Sequence, residues 1–194
     1  MGGMTTARPR ARRADAERSI ARILAAARAR LAADPNATTD DIAKAAGVGR
    51  MTLYGHFRTR AELVEAAMVD ALRAAEEPLA AVDLEGDART VMERLLESSW
   101  ELVAESGALL DAAQGVLPAG RLRELHEGPA KRVEELIERG REEGAFRTDL
   151  PTVWLVSVVH YILHGAAAER TAGRLRKAEA GPVAVKSVLS VLAA

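Results

Sequence analysis

Apolar residues recur along most of this chain at spacings of three and four, and the pattern breaks at a few short, polar places. From about Asp15 onward, Ile20, Ile23, Leu24, Ala27 and Leu31 share one face of a helix. Asp34-Pro35-Asn36 ends that run. Thr38-Thr39-Asp40-Asp41 opens a second helix, with Thr38 as its cap and Asp41, three residues later, closing a capping box in which Asp replaces the usual Glu. Ile42, Ala43 and Ala46 form its apolar side. Gly47 stops it, because glycine takes a left-handed C-terminal conformation at little cost. A third helix is predicted from about Arg50 to Phe57. A fourth is capped by Thr59 with Glu62 in a capping box, and continues through Leu63, Val64, Ala67, Met68, Ala71 and Leu72.

The remainder reads as a helical body. Pro78 and then Asp83 to Asp87 predict a break, followed by a helix from about Ala88 to Ala104. Gly107 predicts an interruption before a shorter segment that ends at Leu117 to Gly120. Gly128-Pro129 predicts a restart, since proline suits a first helical turn, and Val133, Leu136 and Ile137 are the buried stripe of that helix. Lys131–Glu135 and Glu135–Arg139 are i,i+4 pairs on its wet side. Gly144 ends it. An apolar helix is expected from Asp149 and Pro151 to about Arg170, then a loop containing Gly173 and Gly181-Pro182, then a last helix to Ala194. No strand and no internal repeat is predicted, so the expected fold is all-α.

Composition sharpens this picture in three ways. Aromatic residues are only 3% of the 194, while apolar residues reach 48%, a mix suited to helices with a sizeable core. There is no cysteine, which removes disulfides and thiolate metal sites. The longest apolar stretch, Leu150 to Ala168, carries Pro, Ser, Thr and two His and is too polar for a membrane span; no signal-like apolar segment follows the basic start. A cytoplasmic protein without membrane contact is expected. The formal net charge of −1 hides an asymmetry: residues 1–60 hold twelve Lys and Arg against five Asp and Glu, and residues 61–194 hold fifteen against twenty-three. A basic end on an acidic body is the electrostatic footprint of a polyanion partner, although a solvated basic tail has the same composition. Residues 1–14, with Arg8, Arg10, Arg12 and Arg13, are expected to form a disordered basic arm.

The second and third helices, joined by a tight glycine turn, form a helix-turn-helix. On a helical wheel Leu53 and Phe57 point inward beside Val48, while Met51 and Gly55 point directly away and Thr52 and Tyr54 flank them, with Arg50 at the N-terminal end. That outer face offers a methyl-contacting side chain, hydroxyls, a cation and a gap for close backbone approach, the groups a major-groove reader needs.

The run from Ile23 through Thr38-Thr39 to IAKAAGVGRMTLYGHFRTRAEL resembles the TetR family of bacterial transcriptional regulators, over about Ile20 to Met68. The resemblance implies a three-helix, homeodomain-like DNA-binding domain over residues 15–60 and a helical ligand-binding and dimerisation domain over 61–194. It implies a homodimer on a palindromic double-stranded DNA operator, most often a repressor released by a small-molecule effector. Position by position, it implies that Thr38 or Thr39 contacts phosphate at a helix N-terminus and that Arg50 and Thr52, with Met51 and Gly55 beside them, face base edges. Tyr54, His56 and Arg60 would contact phosphate or sugar. Gly49 stands where the family often has Ser, and Arg60 where it often has Lys.

In the body, polar or aromatic groups on apolar faces are the candidate effector contacts: Trp100, Gln114, His126, Trp154, His160, Tyr161 and His164. His160 and His164 have the spacing of a metal pair, but no cysteine or nearby carboxylate completes it, so no metal or other cofactor is expected. The apolar helix Val153 to Ala168, with small residues from Gly165, and the last helix together suit a four-helix dimer interface. No phosphate loop, nucleophile elbow or zinc-protease motif occurs, which argues against an enzyme. The competing class is a helical dimeric adaptor whose basic head binds acidic protein.

Overall fold

A computed structural model describes residues 7–194, with side chains described from Arg13 onward. Among these residues the chain forms nine helices: α1 Ala7–Ala33, α2 Thr39–Ala46, α3 Arg50–His56, α4 Arg60–Ala80, α5 Ala88–Gln114, α6 Ala119–Leu125, α7 Glu127–Glu142, α8 Thr152–Thr171 and α9 Lys177–Leu192. The one departure from helix and loop is an isolated antiparallel bridge between Phe146 and Ala193 among the described residues.

Two compact units can be distinguished. The first comprises residues up to Ala71 with Ala108–Leu117; the second comprises Leu72–Gly107 with Pro118–Ala194. The division therefore falls inside α4, eleven residues after the boundary expected at 60/61. The cause is that α4 runs unbroken and its first half supplies Leu63, Val64, Ala67 and Met68 to the core of the first unit.

In the first unit α1 packs along α2, and α2 against α3. Ile23, Ala27 and Leu31 of α1 are fully buried, as are Ile42 of α2 and Leu63 and Val64 of α4. The predicted capping box is present: the Thr38 hydroxyl accepts from the Asp41 amide at 3.1 Å, and the Asp41 carboxylate accepts from the Thr38 amide at 3.0 Å. Gly47 ends α2 at φ 64°, the left-handed conformation its position requires. Thr59 caps α4 through the Glu62 amide at 3.1 Å, while the Glu62 carboxylate reaches one residue further back than a capping box does, to the Arg58 amide at 2.7 Å.

Four sequence expectations are corrected. Helix α1 begins at Ala7, inside the segment expected to be a disordered arm; alanine and arginine are strong helix formers, and Pro9 falls in the first turn, where it is tolerated. Residues 1–6 and the side chains of Arg8, Arg10 and Arg12 lie outside the described residues. Pro78 does not end α4, which runs on to Ala80; in this last turn the proline costs the helix one hydrogen bond, and few residues follow it. Helix α5 passes through Gly107, because one glycine weakens a long helix by only about 1 kcal/mol without breaking it. Gly181 and Pro182 lie within α9 rather than in a loop, for a Cβ on Gly181 would come within 2.8 Å of the Trp100 indole.

The second unit has a continuous core of α5, α7, α8 and α9 side chains, including Met92, Leu96, Ile137, Leu155, Val188 and Leu192, closed by Phe146. Helix α8 packs along α9 and against α7. On the wet side of α7, Lys131 pairs with Glu135 at 3.9 Å as expected, whereas Arg139 takes Glu143 at 2.8 Å instead of Glu135.

Candidate nucleic-acid interface

Helix α3 is seven residues long, and its burial pattern separates its two faces. Leu53 is 1% exposed and anchors it, with Phe57 and Val48 half-buried beside it. Met51 is 84% exposed, and Arg50, Thr52 and Gly55 are exposed with it. Tyr54 and His56 are half-buried at the margins of that outer face. The start of α3 has no side-chain cap, because Gly49 carries no oxygen to supply one.

The polar groups expected to meet DNA are already connected to one another. Thr39 Oγ1 and the Tyr54 hydroxyl share a hydrogen bond of 3.0 Å. Arg50 donates to Asp40 at 2.9 Å, and its guanidinium lies 5.5 Å from the centre of the Tyr54 ring. Both hydrogen-bonding roles of the Thr38 hydroxyl are taken by Asp41, so the start of α2 is left with backbone amides to offer an anion. The Thr38 hydrogen bonds hold the Asp41 carboxyl below its usual range. Arg60, expected to bind phosphate, instead donates to the carbonyls of Pro35, at 2.8 Å, and Ala37. It thereby fastens the turn before α2 to the start of α4, and part of its five-donor fork remains unused. Sequence reasoning missed this role, and it missed Asp40 altogether. Backbone carbonyls leave no mark in a sequence, and ten residues separate Asp40 from Arg50 without any helical period to suggest the pair.

Residues 23–67 match the bacterial regulatory proteins of the tetR family. The match runs from within α1 to within α4 and makes the head of this chain similar to that of TetR-family regulators. The similarity accounts for the helix-turn-helix of α2 and α3. Several solved structures share the fold. The TetR-like regulator LfrR from Mycobacterium smegmatis, solved in complex with proflavine, is 22% identical with TM-score 0.72, over 92% of this chain and 98% of that one. A TetR-family regulator from Agrobacterium tumefaciens is 18% identical with TM-score 0.73, over 92% and 100% of the two chains. The fatty acid degradation regulator FadR from Bacillus halodurans is 20% identical with TM-score 0.71, over 89% and 93%. No curated protein matches the chain by sequence.

In the second unit the effector candidates do not converge. Trp100 is 5% exposed and lines a cleft of about 560 Å³ between α5 and α9 with Glu93, Glu97, Glu101 and Lys186; none of the other six candidates lines it. Arg170 lies 5.8 Å from the Trp100 ring and donates to the Ala104 carbonyl at 2.7 Å. Gln114 is exposed and belongs to the first unit. Trp154 and Tyr161 are 50% and 69% exposed on the outer face of α8. His126, His160 and His164 do group, close enough for each to bear on another's charge. The Nδ1 atoms of His126 and His160 face the carbonyls of Leu122 and Val156 at 2.9 and 2.8 Å. A carbonyl only accepts, so in both rings Nδ1 carries a proton and donates. His164 Nδ1 is buried without a partner. Among the described residues no group of three His, Cys, Asp or Glu is placed to hold a metal, and no helix is long and apolar enough to cross a membrane.

Burial, and then the charges of His160 and His126, hold the His164 pKa down from 6.5 to about 4. The unfolded chain therefore binds the extra proton between those two values and the folded chain does not, so stability falls as pH drops from 6.5 toward 4. The denaturation midpoint is expected to be lower at pH 5 than at pH 7, and this difference is expected to shrink in His164→Gln. An identical pH dependence in the two proteins would show that another group causes it.

Proposed function

We propose that this regulator is a repressor that binds a palindromic DNA operator as a homodimer and is released by a small molecule. The observation that carries the reading is the division of α3, with Leu53 buried and Arg50, Met51, Thr52 and Gly55 presented to solvent on one face. A head this short reads few base pairs, and pairing two heads multiplies both affinity and site length. An outward stripe on α8 supports the dimer: Trp154, Tyr161, Gly165 and Ala168 are exposed at helical spacing, and Val183 of α9 is 44% exposed. Large aromatics beside small residues suit close helix packing against a second copy. The proflavine held by LfrR supports an effector for this chain too. With DNA as the partner, the place of action is the cytoplasm.

The test is selection of bound sequences from a random duplex pool at near-physiological salt. A palindromic consensus is expected, and its half-site spacing would give the separation of the heads. Recovery of unenriched, salt-sensitive background alone would overturn the reading. Within it, Tyr54 has a positioning role, since its hydroxyl is placed by Thr39 at the margin of the outer face. Tyr54→Phe is expected to weaken the selected and a random duplex by the same factor, roughly 3- to 10-fold for one lost hydrogen bond. Unequal losses would assign the hydroxyl to base reading.

A further inference from the structure

Asp40 is the second residue of α2, and the capping of that helix is carried out by Thr38 and Asp41 without it. Its carboxylate meets Arg50, ten residues on, at the start of α3. The two side chains are 54% and 64% exposed, and an exposed pair of this kind holds a fold together only weakly. The geometry is nevertheless closed. Asp40 takes one donor of Arg50 Nη1, the guanidinium rests over the Tyr54 ring, and the Tyr54 hydroxyl returns to Thr39, the neighbour of Asp40. The guanidinium is thus held from two sides in the free protein, and the rest of its five-donor fork is uncommitted.

We propose that Asp40 is a specificity-determining residue that suppresses nonspecific DNA binding by occupying Arg50 in place of a backbone phosphate. The proposal rests on the DNA-reading assignment made above. Nonspecific affinity comes from cations that neutralise phosphates and release counterions. A guanidinium already facing a carboxylate contributes little to that term, because its charge is compensated. Base reading depends instead on directed donors, and Arg50 retains several of them at a fixed orientation. The pair therefore lowers affinity for any duplex more than affinity for the preferred one. Asp40 also offsets the cost of a cation at the positive end of α3, where the helix dipole disfavours it.

The experiment compares wild type, Asp40→Asn, Asp40→Glu, Arg50→Ala and the Asp40→Asn/Arg50→Ala double variant, each confirmed folded by thermal melting. Binding to the selected duplex and to a random duplex is measured from 50 to 300 mM salt. Asp40→Asn is expected to bind random duplex on the order of 3- to 10-fold more tightly, with the log–log salt slope steeper by about 0.9 per head. The selected duplex is expected to gain less, so the ratio of the two affinities falls. Asp40→Glu is expected to restore both, because a carboxylate still reaches Arg50. In the Arg50→Ala background, Asp40→Asn is expected to leave the slope unchanged. An equal slope change in both backgrounds would overturn the proposal, since Asp40 would then act by simple charge repulsion. Unchanged ratio and slope in Asp40→Asn would overturn it as well. Absence of any preferred duplex for wild type would remove the DNA-reading assignment, and this inference with it.

Discussion

Arg50→Ala is expected to reduce the ratio of selected-site to random-duplex affinity by about 10- to 100-fold, the 1–3 kcal/mol that one good bidentate base contact provides. Arg50 is the exposed cation of α3, it stands at the helix end nearest the turn, and it is held at a fixed orientation by Asp40 and Tyr54. The flanking outer residues carry a thioether, a hydroxyl and no side chain at all, so none replaces its donors. The discriminating quantity is the ratio rather than either dissociation constant. If Arg50→Ala weakened both duplexes by the same factor, the residue would be a phosphate contact, and sequence choice would have to come from DNA shape.

Gly140→Ala is expected to destabilise the second unit by about 2–3 kcal/mol, against a gain of up to about 1 kcal/mol that the same change brings in an unobstructed helix. Gly140 is buried in α7, and a Cβ there would lie 2.0 Å from Cδ2 and 2.5 Å from Cε2 of Phe146. The ring is 1% exposed and surrounded by packed side chains, so it has nowhere to move without disturbing its neighbours. Phe146→Ala alone is expected to cost about 3–5 kcal/mol as a large-to-small change in a core. The two effects should not add: once the ring is gone, the added methyl fills part of the cavity, and the double variant should be more stable than the sum predicts. Denaturant melts of the three proteins measure the cycle. Additive losses would mean that the clash is relieved elsewhere, by movement of α7.

What was legible in the sequence was local. Thr38, Asp41 and Gly47 mark the ends of α2 because caps act on the nearest few amides and carbonyls, and Leu53 is recognisable as an anchor because its neighbours on the wheel are polar. What was not legible depended on residues distant in the chain. Gly107 and Gly181 carry the local signature of breaks, yet both lie inside helices, and at Gly181 a Cβ would collide with the Trp100 indole, a partner distant in the chain. The short helix α6 lies between two stretches of turn-forming residues and has no buried side chain to give it a period. At the interface, Arg60 and Asp40 acquire their roles from partners that only folding brings near: two carbonyls in one case and Arg50 in the other. The effector candidates were selected for being polar or aromatic on apolar faces, and the structure disperses them, because that criterion also selects exposed residues such as Trp154 and Tyr161 on the outer face of α8.

Gly55 stands in the middle of the exposed face of α3 with no atom within 4 Å of where a side chain would begin. A Cβ fits there with no rearrangement of the free protein, and an unbranched side chain other than proline improves the helix it joins. Most routes by which a regulator acquires a new target pass through intermediates that fold poorly. This position offers a route that does not: a single codon change adds a probe to the reading surface while stability holds or rises. After gene duplication, divergence of two copies toward different operators would be expected to begin here.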